Sequence, residues 1–163
     1  MGLKHGLKKV QKTIRKNSGV YLLEIFASHS FTLKNKIFSH LIFEPGYYYY
    51  SGSAQKNLIQ RINRHLKKEK TIYWHIDYLT TIPTNEIKSI FILKDVAKNF
   101  ECNFIFILLN EFDLKIAVNN FGNGDCDSCK SHLLYSKKKI DHNHFISRYQ
   151  SMVRLIPSSS ETF

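Results

Sequence analysis

The chain has 163 residues, of which 43% are hydrophobic, and this length and composition fit one compact domain with a sizeable core. Its 24 lysines and arginines outnumber 13 aspartates and glutamates, and the formal charge of +11 favours a polyanionic partner such as nucleic acid. No apolar run approaches the roughly 20 residues of a membrane span, and the N-terminus lacks the apolar stretch of a signal peptide. We therefore expect a cytoplasmic protein with no membrane partner. The alternative explanation of the charge is a basic surface that only maintains solubility.

The first expected element is a basic N-terminal helix or extension over residues 1–18. Leu3, Leu7, Val10 and Ile14 recur at spacings of four, three and four, which is typical of one face of a helix. Lysines and arginines cover the other faces. A helix that docks on the domain is the favoured interpretation, and an arm that contacts phosphates is the alternative.

Four segments in the first two thirds of the chain predict strands because they are apolar, β-branched or aromatic and end at turn residues. The segments are residues 19–27, 36–43, 47–51 and 86–93. A Glu-Pro-Gly turn joins the second and third of them. Gly52 is expected to end the third strand.

Two segments predict helices. Over residues 57–68, Leu58, Ile62 and Leu66 recur every four residues and form one apolar face. Residues 100–110 are apolar enough for a buried helix, although their phenylalanines and isoleucines also suit a strand.

The last third of the chain begins with a Gly-, Asn- and Asp-rich segment over residues 119–130, which predicts a loop. Residues 131–136 predict a last strand. Asp141 is placed to cap a final helix that extends to Val153. We expect residues 137–163, this helix and a tail, to pack on the same domain.

Two short motifs of glycine and tyrosine lie on predicted strands, and they are Gly19-Val20-Tyr21 and Tyr50-Ser51-Gly52. A predicted helix with Arg61 and His65 follows them. This order resembles the GIY-YIG nuclease superfamily, in which the paired motifs lie on neighbouring strands and a helix with a functional arginine comes next.

Further motifs resemble one uncharacterised branch of small GIY-YIG proteins, a branch that also occurs fused to base-excision DNA glycosylases. They are Arg-His-Leu at 64–66, Trp-His-Ile-Asp-Tyr-Leu at 74–79, Glu-Cys at 101–102 and a late Asp-Cys…Ser-His-Leu. The resemblance covers roughly residues 19–135. The chain departs from the family pattern in the long spacing between the motifs, which implies an inserted hairpin arm. Ser51 also replaces an apolar residue, and the cysteines are spaced differently.

The resemblance implies an α/β (α+β) domain over residues 19–136, with a small, mainly antiparallel central sheet flanked by helices. It also implies a metal-dependent endonuclease that acts on nucleic acid, most simply DNA. Tyr21 and Tyr50 would position or deprotonate the attacking water, and Arg61 would hold the phosphate, for which its rigid fork is suited.

The resemblance further implies that Glu101 binds Mg²⁺ or Mn²⁺ through oxygen. His65 and His75 would assist proton transfer or contact the phosphate. Each residue also has a structural explanation: a tyrosine packed in a core, a surface arginine, or a carboxylate that favours a helix start. Asp77 is expected to be structural.

Basic residues around the predicted helix, Arg64, Lys67 and Lys68, are candidates for nucleic-acid contact. A non-catalytic nucleic-acid-binding module that keeps the fold is therefore the alternative function.

The cysteines fit a reduced compartment better than a disulfide framework. Cys126, Cys129 and His132 have spacing compatible with zinc, and Cys102 is a candidate fourth ligand. We expect buried thiols instead, because Cys102 lies on a predicted helix far along the chain. A zinc-stabilised structural protein is a third function class.

Overall fold

The computed structural model describes residues 17–158. The predicted basic helix before residue 17 lies outside this range. Within it, six strands form one open antiparallel sheet with helices on both sides, which confirms the α+β class. The strands are β1 Gly19–Ala27, β2 Gly46–Ala54, β3 Asn85–Lys94, β4 Lys115–Ile116, β5 Leu133–Ser136 and β6 Val153–Leu155. The helices are α1 Leu58–Leu66, α2 His75–Thr80, α3 Phe100–Glu111 and α4 His142–Ser147.

The sheet has the strand order β4-β5-β2-β1-β3-β6. The two long strands that carry the motifs therefore lie side by side at its centre. Their register pairs Tyr21 with Gly52 and Leu23 with Tyr50. Because side chains alternate along a strand, Tyr21, Leu23 and Tyr50 share one face of the sheet.

Each face of the sheet covers its own apolar core. One core contains Tyr21 and Tyr50 and includes Ile62 of α1 and Leu79 of α2. The other core lies beneath α3 and α4 and includes Phe104 and Phe145, among other buried residues. The sheet is thus covered on both sides, and its central strands are almost wholly buried.

One predicted strand is absent, and the predicted end of another was wrong. Residues 36–43 form turns, and only an isolated bridge between Phe31 and Phe43 connects the ends of this arm. The Asn35 side chain accepts a hydrogen bond from the backbone nitrogen of Ile37, which favours a turn over a strand. Strand β2 continues through Gly52 to Ala54, because the glycine leaves space that the ring of Tyr21 occupies.

The C-terminal part also differs from expectation. Asp141 does cap a helix, since its carboxylate accepts a hydrogen bond from the backbone nitrogen of His144 at 3.0 Å. The helix ends at Ser147, however, and Val153 begins β6, which pairs with β3. The two-residue strand β4 was missed, because so short a segment has no detectable alternation. None of the helices between residues 17 and 158 is both long and apolar enough to cross a membrane.

Candidate functional site

A cleft of about 720 Å³ opens at one end of the two central strands. Its walls contain all six residues that the sequence singled out for catalysis or catalytic metal binding: Tyr21, Tyr50, Arg61, His65, His75 and Glu101. The structure therefore brings these residues to one cleft, while their chemical roles stay predictions.

Tyr21 and His65 form a buried hydrogen-bonded pair. The hydroxyl oxygen of Tyr21 lies 2.7 Å from Nε2 of His65, and both residues are about 2% exposed. Burial raises the pKa of Tyr21 well above its usual value, and it lowers the pKa of His65 to about 3. At neutral pH the pair therefore consists of a protonated tyrosine and a neutral imidazole. The buried Nδ1 of His65 has no hydrogen-bond partner among the described residues.

Tyr50 lies on the adjacent strand and is also buried. Burial, followed by the negative charge of Glu101, raises the pKa of its hydroxyl above the ordinary tyrosine value. Gly122 covers its ring, and a Cβ at this glycine would lie 2.7 Å from the ring carbon Cε2. Gly122 adopts a φ of +70°, a conformation that favours glycine.

Arg61 is fixed from two sides. Nη1 donates a hydrogen bond to the carbonyl oxygen of Ser53, and the guanidinium carbon lies 4.7 Å from the centroid of the Trp74 ring. An arginine stacked on an indole keeps its other donors free to bind an anion. The geometry therefore presents Arg61 to the cleft as a preorganised cationic group.

Glu101 lies in the first turn of α3 and is 7% exposed. Burial raises the pKa of its carboxyl group, although hydrogen bonds from Ser53 and the charges of Lys98 and Arg61 oppose that shift. The hydroxyl of Ser51 donates to the carbonyl oxygen of Glu101 at 2.8 Å. The first turn of α3 is thereby attached directly to the strand that carries the second motif.

His75 begins α2 and connects the cleft to the loop over residues 119–130, called the late loop below. Its Nδ1 accepts a hydrogen bond from the backbone nitrogen of Gly122 at 3.1 Å, so the neutral ring carries its proton on Nε2. Its ring also packs against Phe121. Asp77, expected to be structural, accepts hydrogen bonds from two backbone nitrogens and is fully buried.

Of the three basic residues predicted to contact nucleic acid, two bind other parts of the protein and one is exposed. Arg64 donates to the buried carboxylate of Asp77 at 2.5 Å, and Lys68 donates to three backbone carbonyls. These two cations bind the protein itself, so they are poor candidates for phosphate contact. Lys67 is exposed and remains a candidate for phosphate contact.

Sequence reasoning missed several residues of the cleft. Lys56 and Lys98 are basic residues of its wall, and Tyr73 is aromatic. The signal that was present is the position of Tyr73 directly before the motif at residues 74–79, whose Trp74 also lines the cleft. No spacing in the sequence connects Lys98 to Arg61, because the two residues come from different elements.

A second cluster lies beside Glu101. Cys102, Cys126, Cys129 and His132 place one ligand atom each within 4.8 Å of one another. The sulfur of Cys102 lies 2.9 Å from that of Cys126 and 2.8 Å from that of Cys129. These sulfur–sulfur distances are longer than a disulfide bond of roughly 2.05 Å. The cluster has the donor set of a Cys₃His metal site and could bind a metal ion.

Cys102 was expected to lie far from the pair of cysteines in the late loop, and this expectation was wrong. Helix α3 begins at the loop and brings the Cys102 sulfur into contact with both other thiols. Burial lowers the pKa of His132 to about 4, which leaves its imidazole neutral and able to act as a ligand. The expected loop over residues 119–130 is present and carries two of the four ligands.

The sequence was also compared with known proteins. One family model, described as a domain of unknown function, DUF123, matches residues 20–155. This span is most of the chain, which therefore belongs to that family. No curated protein and no solved structure matches the chain. The family description names no activity, so function has to be argued from the cleft and the cluster.

Proposed function

We propose that this protein is a metal-dependent endonuclease of the GIY-YIG type that hydrolyses phosphodiester bonds in DNA. The observation that supports the proposal is the convergence of two tyrosines, an arginine, a buried histidine and a carboxylate on one cleft. Phosphodiester hydrolysis needs an activated water, positive charge at the transition state and stabilisation of the leaving oxygen. The formal charge of +11 is consistent with a polyanionic substrate.

Tyr21 and His65 provide a route for the proton of the attacking water. Tyr21 is protonated at neutral pH, so it acts as a relay: its oxygen accepts a proton from water while its own proton passes to His65 Nε2. The neutral His65 has a free lone pair on Nε2 for that proton, and the negative charge of a bound phosphate would raise its lowered pKa and favour the transfer. A bond forms between the water oxygen and phosphorus, the bond to the leaving oxygen breaks, and the leaving oxygen takes a proton from solvent.

The remaining side chains hold the reacting groups. Tyr50 orients the water through its hydroxyl, and Arg61 binds two phosphate oxygens through its fork. His75 has its Nδ1 bound to the loop, so its Nε2 proton is available to a phosphate oxygen. These contacts strengthen as negative charge develops on the phosphate.

Glu101 is the residue we propose to hold Mg²⁺ or Mn²⁺. Its oxygen donors suit a hard cation. Burial raises the pKa of the carboxyl group, so the ionised form is incompletely stabilised in the cleft, and a divalent cation would stabilise it. When bound, such a cation supplies charge neutralisation at the phosphate.

The Cys₃His cluster is proposed to hold zinc in a structural role. Its four ligands leave no position for substrate, which is typical of structural zinc sites. The ion would connect α3, directly after Glu101, to the loop that covers Tyr50. Zinc would thus keep two walls of the catalytic cleft together.

The test is cleavage of plasmid, branched and single-stranded DNA by the zinc-loaded protein, with Mg²⁺ or Mn²⁺ added or omitted. We expect cleavage only with the added cation. Arg61→Ala should lower the cleavage rate by a factor on the order of a hundred or more, because transition-state charge loses its partner. Affinity for DNA should change less, since other basic residues remain.

Arg148→Ala is the matched control, because its guanidinium pairs with Glu111 outside the cleft. It should cleave at the wild-type rate. Equal cleavage by Arg61→Ala and wild type would make Arg61 an ordinary surface charge. DNA binding without cleavage of any substrate would identify a non-catalytic binding module.

A further inference from the structure

We propose that Tyr73 is a stacking platform for an unpaired nucleobase next to the bound phosphate, so that the preferred substrate is DNA with a single-stranded segment at the cleavage site. The inference rests on the proposed nuclease function and adds the structural class of the substrate. Its evidence is the position, support and surroundings of the Tyr73 side chain.

Tyr73 is the most exposed of the large hydrophobic side chains between residues 17 and 158, at 78% exposure, and it lines the cleft. An isolated exposed aromatic residue needs no explanation. Tyr73 differs because it lies at the mouth of the cleft that holds Arg61. Its ring is therefore within reach of a ligand that occupies the cleft.

The backbone of Tyr73 is held in place. Its nitrogen donates to Oδ2 of the fully buried Asp77 at 2.9 Å, and the nitrogen of Trp74 donates to the same oxygen at 3.0 Å. The ring of Tyr73 meets that of Trp74 edge to face, with centroids 5.0 Å apart at 89°. A fixed backbone and a ring contact with Trp74 reduce the entropy lost on binding.

A continuous row of ring contacts leads from this exposed residue to the proposed proton relay. Centroid distances are 6.1 Å from Trp74 to His65 and 5.3 Å from His65 to Tyr21. Arg61 lies against the middle of the row, 4.7 Å from the Trp74 centroid. When Arg61 binds the phosphate of a nucleotide, the ring of Tyr73 is thus available for stacking. The stacked base is that of the same nucleotide or of its neighbour.

The polar surroundings favour a nucleic acid as the occupant over an apolar partner. Lys56 and Lys98 also line the cleft, and Lys67 is exposed before Tyr73 in the chain. Cations beside an exposed aromatic residue are typical of single-strand binding, where a basic groove follows the backbone and aromatic rings stack on bases. Bases within a regular duplex are stacked on each other and offer no free face.

The test measures binding, with Ca²⁺ in place of Mg²⁺ to prevent cleavage and without chelator, which would remove zinc. One probe is a single strand of about 12 nucleotides that carries one fluorescent 2-aminopurine. The other probe is a duplex of the same sequence. Wild type should bind the single strand more tightly and should quench the 2-aminopurine on stacking. Tyr73→Ala should lose about 5- to 150-fold in single-strand affinity, the effect of one base–aromatic stack, and change duplex affinity by less than about twofold.

Two variants serve as controls. Tyr73→Phe keeps the ring and should bind as wild type does. Ile72→Ala removes a neighbouring exposed side chain, 38% accessible, that does not line the cleft, and it should change neither affinity. Melting curves check that each variant is folded, and Tyr73→Leu replaces Tyr73→Ala if the latter is not.

The inference is overturned if Tyr73→Ala binds the single strand like wild type, or if Tyr73→Ala and Ile72→Ala lose affinity equally. It is also overturned if wild type prefers the duplex. Absence of cleavage by wild type with Mg²⁺ would reject the nuclease proposal instead. The affinity difference between Tyr73→Ala and wild type is measured independently of that outcome.

Discussion

At the scale of single residues, Ser51 shows how one side chain connects a motif to the proposed metal ligand. The GIY-YIG motif that this segment resembles has an apolar residue here, yet Ser51 is fully buried and donates to the carbonyl oxygen of Glu101. A buried hydroxyl without a partner would destabilise the protein by roughly 1–3 kcal/mol. Its bond to the first turn of α3 removes that penalty and fixes the position of the Glu101 backbone. The departure from the pattern thus has a local structural reason.

Gly52 shows why the second motif ends in glycine. Tyr21 lies directly opposite, and a Cβ at position 52 would come within 2.5 Å of the Tyr21 hydroxyl oxygen. Gly52→Ala should therefore displace the tyrosine from His65 and destabilise the protein by roughly 1–3 kcal/mol. Urea unfolding measures the stability, and cleavage assays measure the displacement. Gly124→Ala is the matched control, because a Cβ there meets no atom within 4 Å. Unchanged stability and activity in Gly52→Ala would contradict the packing argument.

At the scale of elements, the late loop and α3 depend on each other. Hydrogen bonds within the loop stabilise its conformation. In one of them, the Asn123 side chain donates to the carbonyl oxygen of Cys129 at 2.8 Å. Two further backbone bonds connect His132 to Phe121 and to Ser51. The cysteine and histidine side chains supply the connection to α3 through Cys102.

A metal at this cluster predicts a large effect on stability. Purified protein should contain about one zinc per chain, because a closed four-ligand site binds the ion tightly. A strong chelator should lower the melting temperature by well over about 5 °C, since metal binding contributes folding free energy. Cys129→Ser should lose the zinc, while Ser128→Ala, in the same loop, should keep it. Elemental analysis and thermal melts decide the question. A protein without zinc whose melting temperature is unaffected by chelator would show that the cysteines are free thiols.

At the scale of the whole molecule, stability depends on how the fold treats buried ionisable groups. Burial lowers the pKa of His65 from its usual 6.5 to about 3. Between these values the unfolded chain binds a proton that the folded protein does not, so the free energy of unfolding falls as the pH drops below about 6.5. Burial raises the pKa of Glu101. This shift lowers the free energy of unfolding as the pH rises above about 4.5, so its effect is opposite to that of His65.

The contribution of His65 can be isolated by comparing two proteins. His65→Gln cannot titrate, so the free energy of unfolding of wild type should fall more steeply from pH 6.5 to pH 5. The excess slope is at most about 1.4 kcal/mol per pH unit, which corresponds to one proton. Urea unfolding of the zinc-loaded proteins across this range is the measurement. Equal slopes for wild type and His65→Gln would mean that His65 is not kept neutral by burial.

Elements with a strong local pattern are predictable from the sequence alone. Alternation and apolar content located β1 and β3 almost to the residue, and a four-residue period located α1. The ordered motifs selected the side chains that the fold brings to one cleft. These features are local along the chain, so they are visible without knowledge of the packing.

Features that depend on contacts between distant segments become visible only in the folded structure. β2 continues past Gly52 because Tyr21 of another strand fills the space beside the glycine. Cys102 precedes Cys126 by 24 residues in the chain, and it meets the late loop because α3 begins beside that loop. Arg64 and Lys68, basic in sequence and exposed on a helical projection, bind buried or backbone oxygens instead of solvent. Charge and spacing along the chain indicate which interactions a side chain is able to form. The group that it contacts depends on how elements far apart in the sequence pack together.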